Sequence, residues 1–134
     1  MKKLIFILFI LLNVSSKAQN LTPSDWIKIN SYQSPVPTKF RLYPTINNWT
    51  FLRLNTTNGL VDMIVYNYNT EEYQGIVKLN DVPLVENGIL DRFKLQATSN
   101  QWVFILLDQV DGKVYKVQWG DGAENRFIKP ILNY

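Results

Sequence analysis

Residues 93–119 read FKLQATSNQWVFILLDQVDGKVYKVQW, and they predict an antiparallel sheet with one buried face. Asp111-Gly112 is a dipeptide that favours a two-residue hairpin turn, and Ser99-Asn100 is a weaker signal of the same kind. Counting outward from either turn puts the same residues of the middle strand on one face. The predicted core face contains Phe93, Leu95, Ala97, Trp102, Phe104, Leu106, Val117 and Trp119. A one-residue slip would invert this set, so the agreement of two turns supports it.

Upstream, Asn58-Gly59 predicts a second hairpin, which is apolar on both faces. A two-residue loop there, with the strand count continued past it, gives one face an aromatic cluster and two charged residues: Trp49, Phe51, Arg53, Asp62, Tyr66, Tyr68 and Tyr73. The same count adds Gly75, Val77 and Leu79 to this aromatic face. The opposite, aliphatic face receives Leu52, Leu54, Met63, Val65 and Ile76. Antiparallel sheets usually leave one face in water. We therefore expect this hairpin to be covered on both sides or to present one side to a partner.

The whole chain is expected to be all-β, an antiparallel meander of about eight to ten strands. Further short strands are predicted at residues 26–29, 40–43 and 126–128. A closed or nearly closed up-and-down barrel of calycin size is preferred over a two-layer β-sandwich, because closure leaves no exposed edge. No internal repeat is evident. The expected division is an irregular segment at 19–38 with one short strand, then a single all-β domain at 39–134.

Residues 1–18 have the pattern of a cleavable export signal. Lys2 and Lys3 precede nine uninterrupted apolar residues, and Ser16 and Ala18 put small residues where a signal peptidase cuts. Nine residues rise only about 14 Å as a helix, against a hydrocarbon core of roughly 30 Å. We expect cleavage after Ala18 and a secreted or periplasmic protein with no membrane span after signal removal. The absence of cysteine from an exported chain is more typical of a bacterial envelope than of animal secretions.

The net charge argues against nucleic acid as a partner. The full chain has fourteen basic and eleven acidic residues. Three of the basic residues, Lys2, Lys3 and Lys17, lie in the predicted signal, which leaves eleven of each sign. A neutral chain without a basic tract lacks the field that concentrates phosphate backbones.

Residue types that are missing restrict the possible chemistry. The chain has no histidine and no cysteine, so imidazole and thiol relays and ordinary zinc sites are excluded. No glycine-rich phosphate or dinucleotide loop is present. We therefore expect no enzymatic activity, no cofactor and no metal. The remaining catalytic candidate is a carboxylate pair, Asp91 and Asp108, in which one pKa would be raised by the neighbouring charge.

The aromatic cluster is the best candidate site in the sequence. Aromatic rings stack on sugars or line apolar pockets, and their polar tips supply hydrogen bonds. The tentative ligand-binding residues are Trp49, Phe51, Tyr66, Tyr68, Tyr73, Arg53 and Asp62. The leading hypothesis is an exported, non-enzymatic binding module for a small apolar molecule or a glycan. The alternative is a cell-envelope interaction or inhibitor protein without a small-molecule ligand.

Overall fold

The computed structural model describes residues 35–66, 74–120 and 122–133, together with Thr22, Asp25 and Lys28. These residues form two four-stranded antiparallel sheets. The first sheet contains β1 (Phe40–Pro44), β2 (Thr50–Asn55), β3 (Val61–Val65) and β4 (Gly75–Lys78). The second contains β5 (Phe93–Ala97), β6 (Val103–Asp108), β7 (Val114–Gln118) and β8 (Phe127–Pro130). One short 3₁₀ helix, Ala123–Asn125, precedes β8.

The prediction of an all-β antiparallel meander is confirmed. Strands follow one another in chain order in both sheets, so every connection within a sheet joins neighbours. The strand predicted at 40–43 forms as β1, and the one predicted at 126–128 forms one residue later as β8. Within the described ranges the strands pair only inside their own sheet, and the preferred closed barrel is not found.

Three predicted hairpin registers are wrong by two residues, and the reason is the length of the turns. Phe104 was expected opposite Trp119 but pairs with Val117, and Phe51 pairs with Ile64 instead of Tyr66. Asp108 N–H donates to the Lys113 carbonyl at 2.9 Å, which leaves four residues in the turn. A two-residue shift does not move a side chain to the other face. The predicted faces therefore survive, and every residue of the predicted core face except Trp102 is buried.

The prediction of which β4 side chains lie on the aromatic face is wrong. Ile76 pairs with Ile64 on the aromatic side, and Val77 pairs with Met63 on the aliphatic side. The count continued past the first hairpin gave the opposite result, since a one-residue difference exchanges the faces of a strand.

The first three strands of the two sheets repeat each other at a distance of 53 residues, so the expectation of no internal repeat was wrong. Phe40 pairs with Asn55 as Phe93 pairs with Asp108, and Leu54 pairs with Val61 as Leu107 pairs with Val114. Residues 39–66 and 92–119 share nine identical positions at this spacing: Phe40/93, Leu42/95, Thr45/98, Asn47/100, Trp49/102, Phe51/104, Leu54/107, Gly59/112 and Val61/114. We call β1–β4 the first unit and β5–β8 the second unit.

The first turn of each unit is built by the same three residues. They are Thr45, Asn47 and Trp49 in the first unit, and Thr98, Asn100 and Trp102 in the second. The threonine hydroxyl donates to the carbonyl five residues later, at 2.7 Å in the first unit and 2.8 Å in the second. The asparagine Oδ1 accepts the backbone N–H of the tryptophan at 2.8 and 3.0 Å. Local hydrogen bonds of this kind fix a turn without help from the rest of the fold.

The second turn is also common to both units. Gly59 and Gly112 have φ of 76° and 72°, a conformation in which an L side chain is strained. Their N–H groups donate to the carbonyls of Asn55 and Asp108, at 3.0 and 2.8 Å. A glycine in this conformation closes a four-residue turn, and this explains why the two-residue loops predicted from Asn-Gly and Asp-Gly do not form.

Each sheet has two faces, which we name by equivalent residues. The front face carries Phe40, Leu42, Phe51, Arg53, Asp62 and Ile64 in the first unit, and Phe93, Leu95, Phe104, Leu106, Tyr115 and Val117 in the second. The back face carries Tyr43, Leu52, Leu54, Val61 and Met63 in the first unit, and Gln96, Ile105, Leu107, Val114 and Lys116 in the second.

The hydrophobic core joins the back face of the first unit to the front face of the second. Leu52, Leu54 and Val61 have no exposed surface, and neither do Phe93 and Phe104. These buried side chains belong to one cluster, which Leu79 and Trp119 also enter. The other two faces, the first unit's front and the second unit's back, lie outside this core.

Residues 79–92 link the units and are tied to the turn between β2 and β3. Thr56 is fully buried, its carbonyl accepts the Phe93 N–H at 2.9 Å, and its hydroxyl accepts the Asp91 N–H at 3.2 Å. Asp91 has φ of 58°, which aspartate tolerates better than most residues. Its carboxylate pairs with Arg41 of β1 at 3.0 Å. These contacts fix the second unit to the first.

The N-terminal predictions fall largely outside the described residues, among them the export signal at 1–18. Asp25 and Lys28 are helical, so the strand predicted at 26–29 does not form at Lys28. Thr22 and Asp25 exchange hydrogen bonds typical of a helix N-terminus, the hydroxyl donating to Asp25 Oδ2 at 2.7 Å. These bonds from Thr22 lower the pKa of Asp25. Among the described residues, no helix is long and apolar enough to cross a membrane.

Candidate functional site

The aromatic cluster lies at one end of the first unit's front face. Trp49 and Tyr66 meet edge to face with ring centroids 5.8 Å apart, and Phe51 lies 6.0 Å from Tyr66. The Tyr66 hydroxyl donates to the Asn48 carbonyl at 2.9 Å, which holds the ring against the first turn. Three of the five predicted aromatic residues are thus brought together, while Tyr68 and Tyr73 fall outside the described residues.

Arg53 and Asp62 face each other directly in the middle of this face. Arg53 Nη2 and Nε donate to Asp62 Oδ2 at 2.6 and 3.0 Å. The guanidinium also lies 5.7 Å from the Phe40 ring, so its flat side covers an aromatic surface. A pair this exposed contributes roughly 0–1 kcal/mol to stability. Both charges are satisfied locally, which leaves the face apolar in character.

The front face of the first unit is larger than the predicted cluster. Phe40 and Leu42 of β1 are 52% and 63% exposed, and Ile76 of β4 is 59% exposed. These three residues extend the aromatic cluster across the sheet. The pairing of β1 with β2 would have added Phe40 and Leu42 to the site, and Ile76 was missed because its facing was assigned wrongly. Together with the aromatic cluster they give this face a large exposed apolar surface.

No room for a ligand lies directly behind the cluster. The back face of the same sheet is filled by Leu52, Leu54 and Val61, none of which is exposed. A ligand would therefore have to lie on the open front face, not inside a barrel.

A separate cleft of about 380 Å³ lies at the corresponding end of the second unit. Its lining comprises Asn100, Trp102, Val103, Gln118, Trp119, Gly120 and Asn125. The two indole rings are tilted against each other at 4.9 Å, and Trp119 Nε1 donates to the Gln101 carbonyl at 3.1 Å. The sequence did not predict this cleft, although Trp102 stands at the position in the second unit that Trp49 has in the first. Its combination of aromatic and amide groups suits a small polar ligand.

The two carboxylates of the catalytic candidate, Asp91 and Asp108, each bind an arginine. Arg92 contacts Asp108 through two nitrogens at 3.0 and 2.9 Å, and it also contacts Asp111 at 2.9 Å. Burial raises the pKa of Asp108, but hydrogen bonds from Arg92 and from the Asp111 and Val110 N–H groups outweigh it and hold the pKa below its usual range. The hydrogen bonds between Arg92 and Asp108 in turn raise the pKa of Arg92. The expected raised carboxyl pKa is therefore wrong in sign for Asp108.

Metal binding has no candidate in the described part of the chain. No three carboxylate, imidazole or thiol groups there lie close enough together to hold an ion. Comparisons with family models, curated proteins and solved structures found no match to this chain.

Proposed function

We propose that this chain is an exported, non-enzymatic interaction protein whose first-unit front face docks against another protein. One observation carries the proposal: the equivalent face in the second unit is buried in the core that the two units share. Leu95 is 2% exposed there, whereas its counterpart Leu42 is 63% exposed. The export and envelope location rest on the pattern of residues 1–18 alone.

The residue types on the open face support a protein partner. Phe40, Leu42 and Phe51 repeat Phe93, Leu95 and Phe104 at the same register positions. The side-chain types that are buried on the front face of the second unit are therefore also present on the open front face of the first. Aromatic residues and arginine are also the types enriched at protein interfaces, and this face carries Arg53.

We further propose that the two sheets are stacked as layers, not as halves of a closed barrel. The support is the alternation of burial along each strand, with one face in the shared core and one outside it. Two sheets that pack face to face bury one face each, as the core here requires.

Cysteine labelling tests the proposal directly, because the chain contains no cysteine of its own. Leu42→Cys puts a thiol on the open face, and Val82→Cys, at a position 74% exposed in the link, is the matched control. A maleimide is added to dilute purified protein and to native extracts of producing cells. We expect Leu42→Cys to react at least about tenfold more slowly in the extract, because only the undocked fraction reacts. Val82→Cys should react equally in both.

Equal rates for Leu42→Cys in the two samples would contradict a docked face. Passing the extract through a desalting column first removes small ligands, so protection that persists is due to a macromolecule. Denaturant should abolish all protection and serves as the reference for full reaction.

A second candidate, glycan or small-ligand binding, is favoured by the cleft that Trp102 and Trp119 line with five other residues. A sugar ring could stack on an indole while Asn100 and Gln118 offer amide hydrogen bonds. Tryptophan fluorescence titrated with a panel of glycans and apolar ligands tests it. The expected signal is saturable, lost in Trp102→Ala and kept in Trp49→Ala. Loss in Trp49→Ala alone would instead assign the ligand to the aromatic cluster, and a flat response throughout would remove this candidate.

A further inference from the structure

We infer that the protein docked on the first unit's front face is a second copy of this chain, contacting it with its second-unit back face. The inference rests on the proposed function and names its partner. Within the molecule, a back face already covers a front face. Among the described residues, one front face, in the first unit, and one back face, in the second, remain open. A head-to-tail contact between copies would cover both and continue the same stack of sheets.

The open front face resembles the covered one in shape and chemistry. Phe40, Leu42 and Phe51 are unchanged in type from their counterparts, and Ile64 stands where the second unit has Val117. The main difference is Arg53 in place of Leu106. Its charge is neutralised by Asp62, which replaces Tyr115 directly opposite. The charge of Arg53 is therefore paired with Asp62 on the neighbouring strand, and a charge must have such a partner if protein covers the face.

The open back face retains the stripe that makes the internal contact. The four residues at the centre of that contact are Thr50, Leu52, Leu54 and Val61, and their counterparts are Val103, Ile105, Leu107 and Val114. All four counterparts are apolar, and Leu107 is 37% exposed. The stripe therefore offers a second copy the same aliphatic surface.

The strands on either side of this stripe carry polar side chains on the open back face. Lys116 replaces Met63, and Gln96 replaces Tyr43. The Nζ atoms of Lys116 and Lys129 lie over the Phe127 ring at 5.3 and 4.5 Å, so both charges lie on the β7–β8 side of the stripe. A polar rim around an apolar centre is the usual composition of a reversible protein interface. It keeps the single chain soluble and lets association depend on concentration.

Because the two faces are different, the contact is heterologous. A contact of this class does not end at two molecules, since each new copy again presents an open front and an open back face. It produces a ring or an open filament. A front-to-front contact would stop at a symmetric dimer, and this difference allows a decisive test.

The test uses two variants of the full exported chain that each disable one face. Leu42→Asp disables the front face and leaves the back face intact, and Leu107→Asp does the reverse. Val82→Asp, the same change in charge in the link, is the control. Masses are measured by light scattering and sedimentation over a wide range of protein concentration. Circular dichroism and the thermal midpoint verify folding, and Gln96→Asp, at an exposed back-face position, replaces Leu107→Asp if that variant unfolds.

We expect wild type and Val82→Asp to grow beyond dimers with concentration, and each face variant to stay monomeric because its Kd rises by at least about thirtyfold. An equimolar mixture of the two face variants should form a dimer and nothing larger, since it contains one intact front and one intact back face. Association of Leu107→Asp like wild type would instead indicate front-to-front contact and overturn the inference.

A wild type that is monomeric at every concentration would overturn the inference but not the proposed function. Protection of Leu42→Cys in the extract would then identify a different protein partner. Protection of the same thiol in dilute purified protein would point to another segment of this chain. Absence of protection everywhere would end the proposed function as well.

Discussion

The first three strands of the two units have the same pairing and the same two turns, yet the units bury opposite faces. Phe93 is fully buried, whereas Phe40 at the same register position is half exposed. Back-face Leu54 is fully buried, whereas its counterpart Leu107 is more than one third exposed. The comparison teaches that strand register and turn chemistry do not decide which face forms the core. The position of a unit relative to its neighbour decides it.

The units also differ in charge at the second turn. The second unit has Arg92, Asp108 and Asp111, which form one network of ion pairs. The first unit has Lys39, Asn55 and Asn58 at these positions, and a carboxylate at none of them. The turn backbone is the same in both, so the network adds pH sensitivity to the second unit without changing its conformation.

The largest effect is expected where equivalent leucines differ most in burial. Leu95→Ala should lower the free energy of unfolding by about 2–5 kcal/mol, because it removes buried surface and leaves a cavity. Leu42→Ala should change it by less than about 0.5 kcal/mol, since its side chain is mostly in water. Urea unfolding of both variants at a concentration where the protein is monomeric measures the difference. Equal losses would mean that the front face of the first unit is covered in the monomer.

A smaller effect is expected from the buried carboxylate. Asp108→Asn should lower stability at neutral pH by about 1–3 kcal/mol, because Arg92 and two turn N–H groups lose a charged acceptor. Asp108→Ala and Asn55→Ala are the matched pair of truncations, and Asp108→Ala should cost more, since an ion pair is broken only there.

The pH dependence of this pair has a defined sign. The pKa of Asp108 is lower in the folded chain than in the unfolded one, so its contribution is complete above the unfolded pKa and is lost as pH falls through the folded pKa. Below about pH 5 the difference in unfolding free energy between wild type and Asp108→Asn should therefore shrink. A difference that is constant from neutral to strongly acid pH would contradict the ion-pair explanation.

Equal effects are expected at the first turn. Thr45→Val and Thr98→Val each remove a hydroxyl that donates to a backbone carbonyl, and each should cost about 1–2 kcal/mol. The two losses should agree within about 0.5 kcal/mol, because the turn network is local and does not depend on which face is buried. Thermal and urea unfolding measure both. A large difference would show that the turns depend on their surroundings.

The smallest effect concerns the glycines of the second turn. Gly112→Ala should cost about 1 kcal/mol, which is the strain of a left-handed alanine. Gly59→Ala should cost more, because its added methyl would lie 2.7 Å from Leu84 Cδ1, whereas Gly112 has no such neighbour. Unfolding midpoints compare the two variants. Equal costs would mean that Leu84 moves aside freely.

The faces of five strands could be predicted from the sequence, because an error of two residues in a turn preserves the side to which each residue points. Phe93, Leu95 and Phe104 were assigned to the core for this reason, and they are buried there. The faces of β4 were assigned wrongly because the segment before it contains no strong turn dipeptide. An error of one residue in that turn exchanges the two faces of the strand. The repeat was missed because its identical residues are dispersed, and buried Leu106 corresponds to charged Arg53.

The site could be predicted only in part. Trp49, Phe51 and Tyr66 were grouped correctly, and the first hairpin was expected to be apolar on both sides. Sequence alone could not tell which of two apolar faces stays open, since that depends on packing between the units. The cleft at Trp102 is formed by the end of β7, Gly120 and Asn125, which are distant in sequence from the tryptophan.

The spacing of 53 residues includes the link as well as the strands. A duplicated gene segment encoding residues 39–91 would therefore carry its own connector, and insertion before residue 39 would join it to the existing chain at an equivalent junction. Thr56 and Asp91 of the added copy would meet at the new boundary as they do at the present one. Each such duplication would add one complete unit together with its link, and no new linker would be needed.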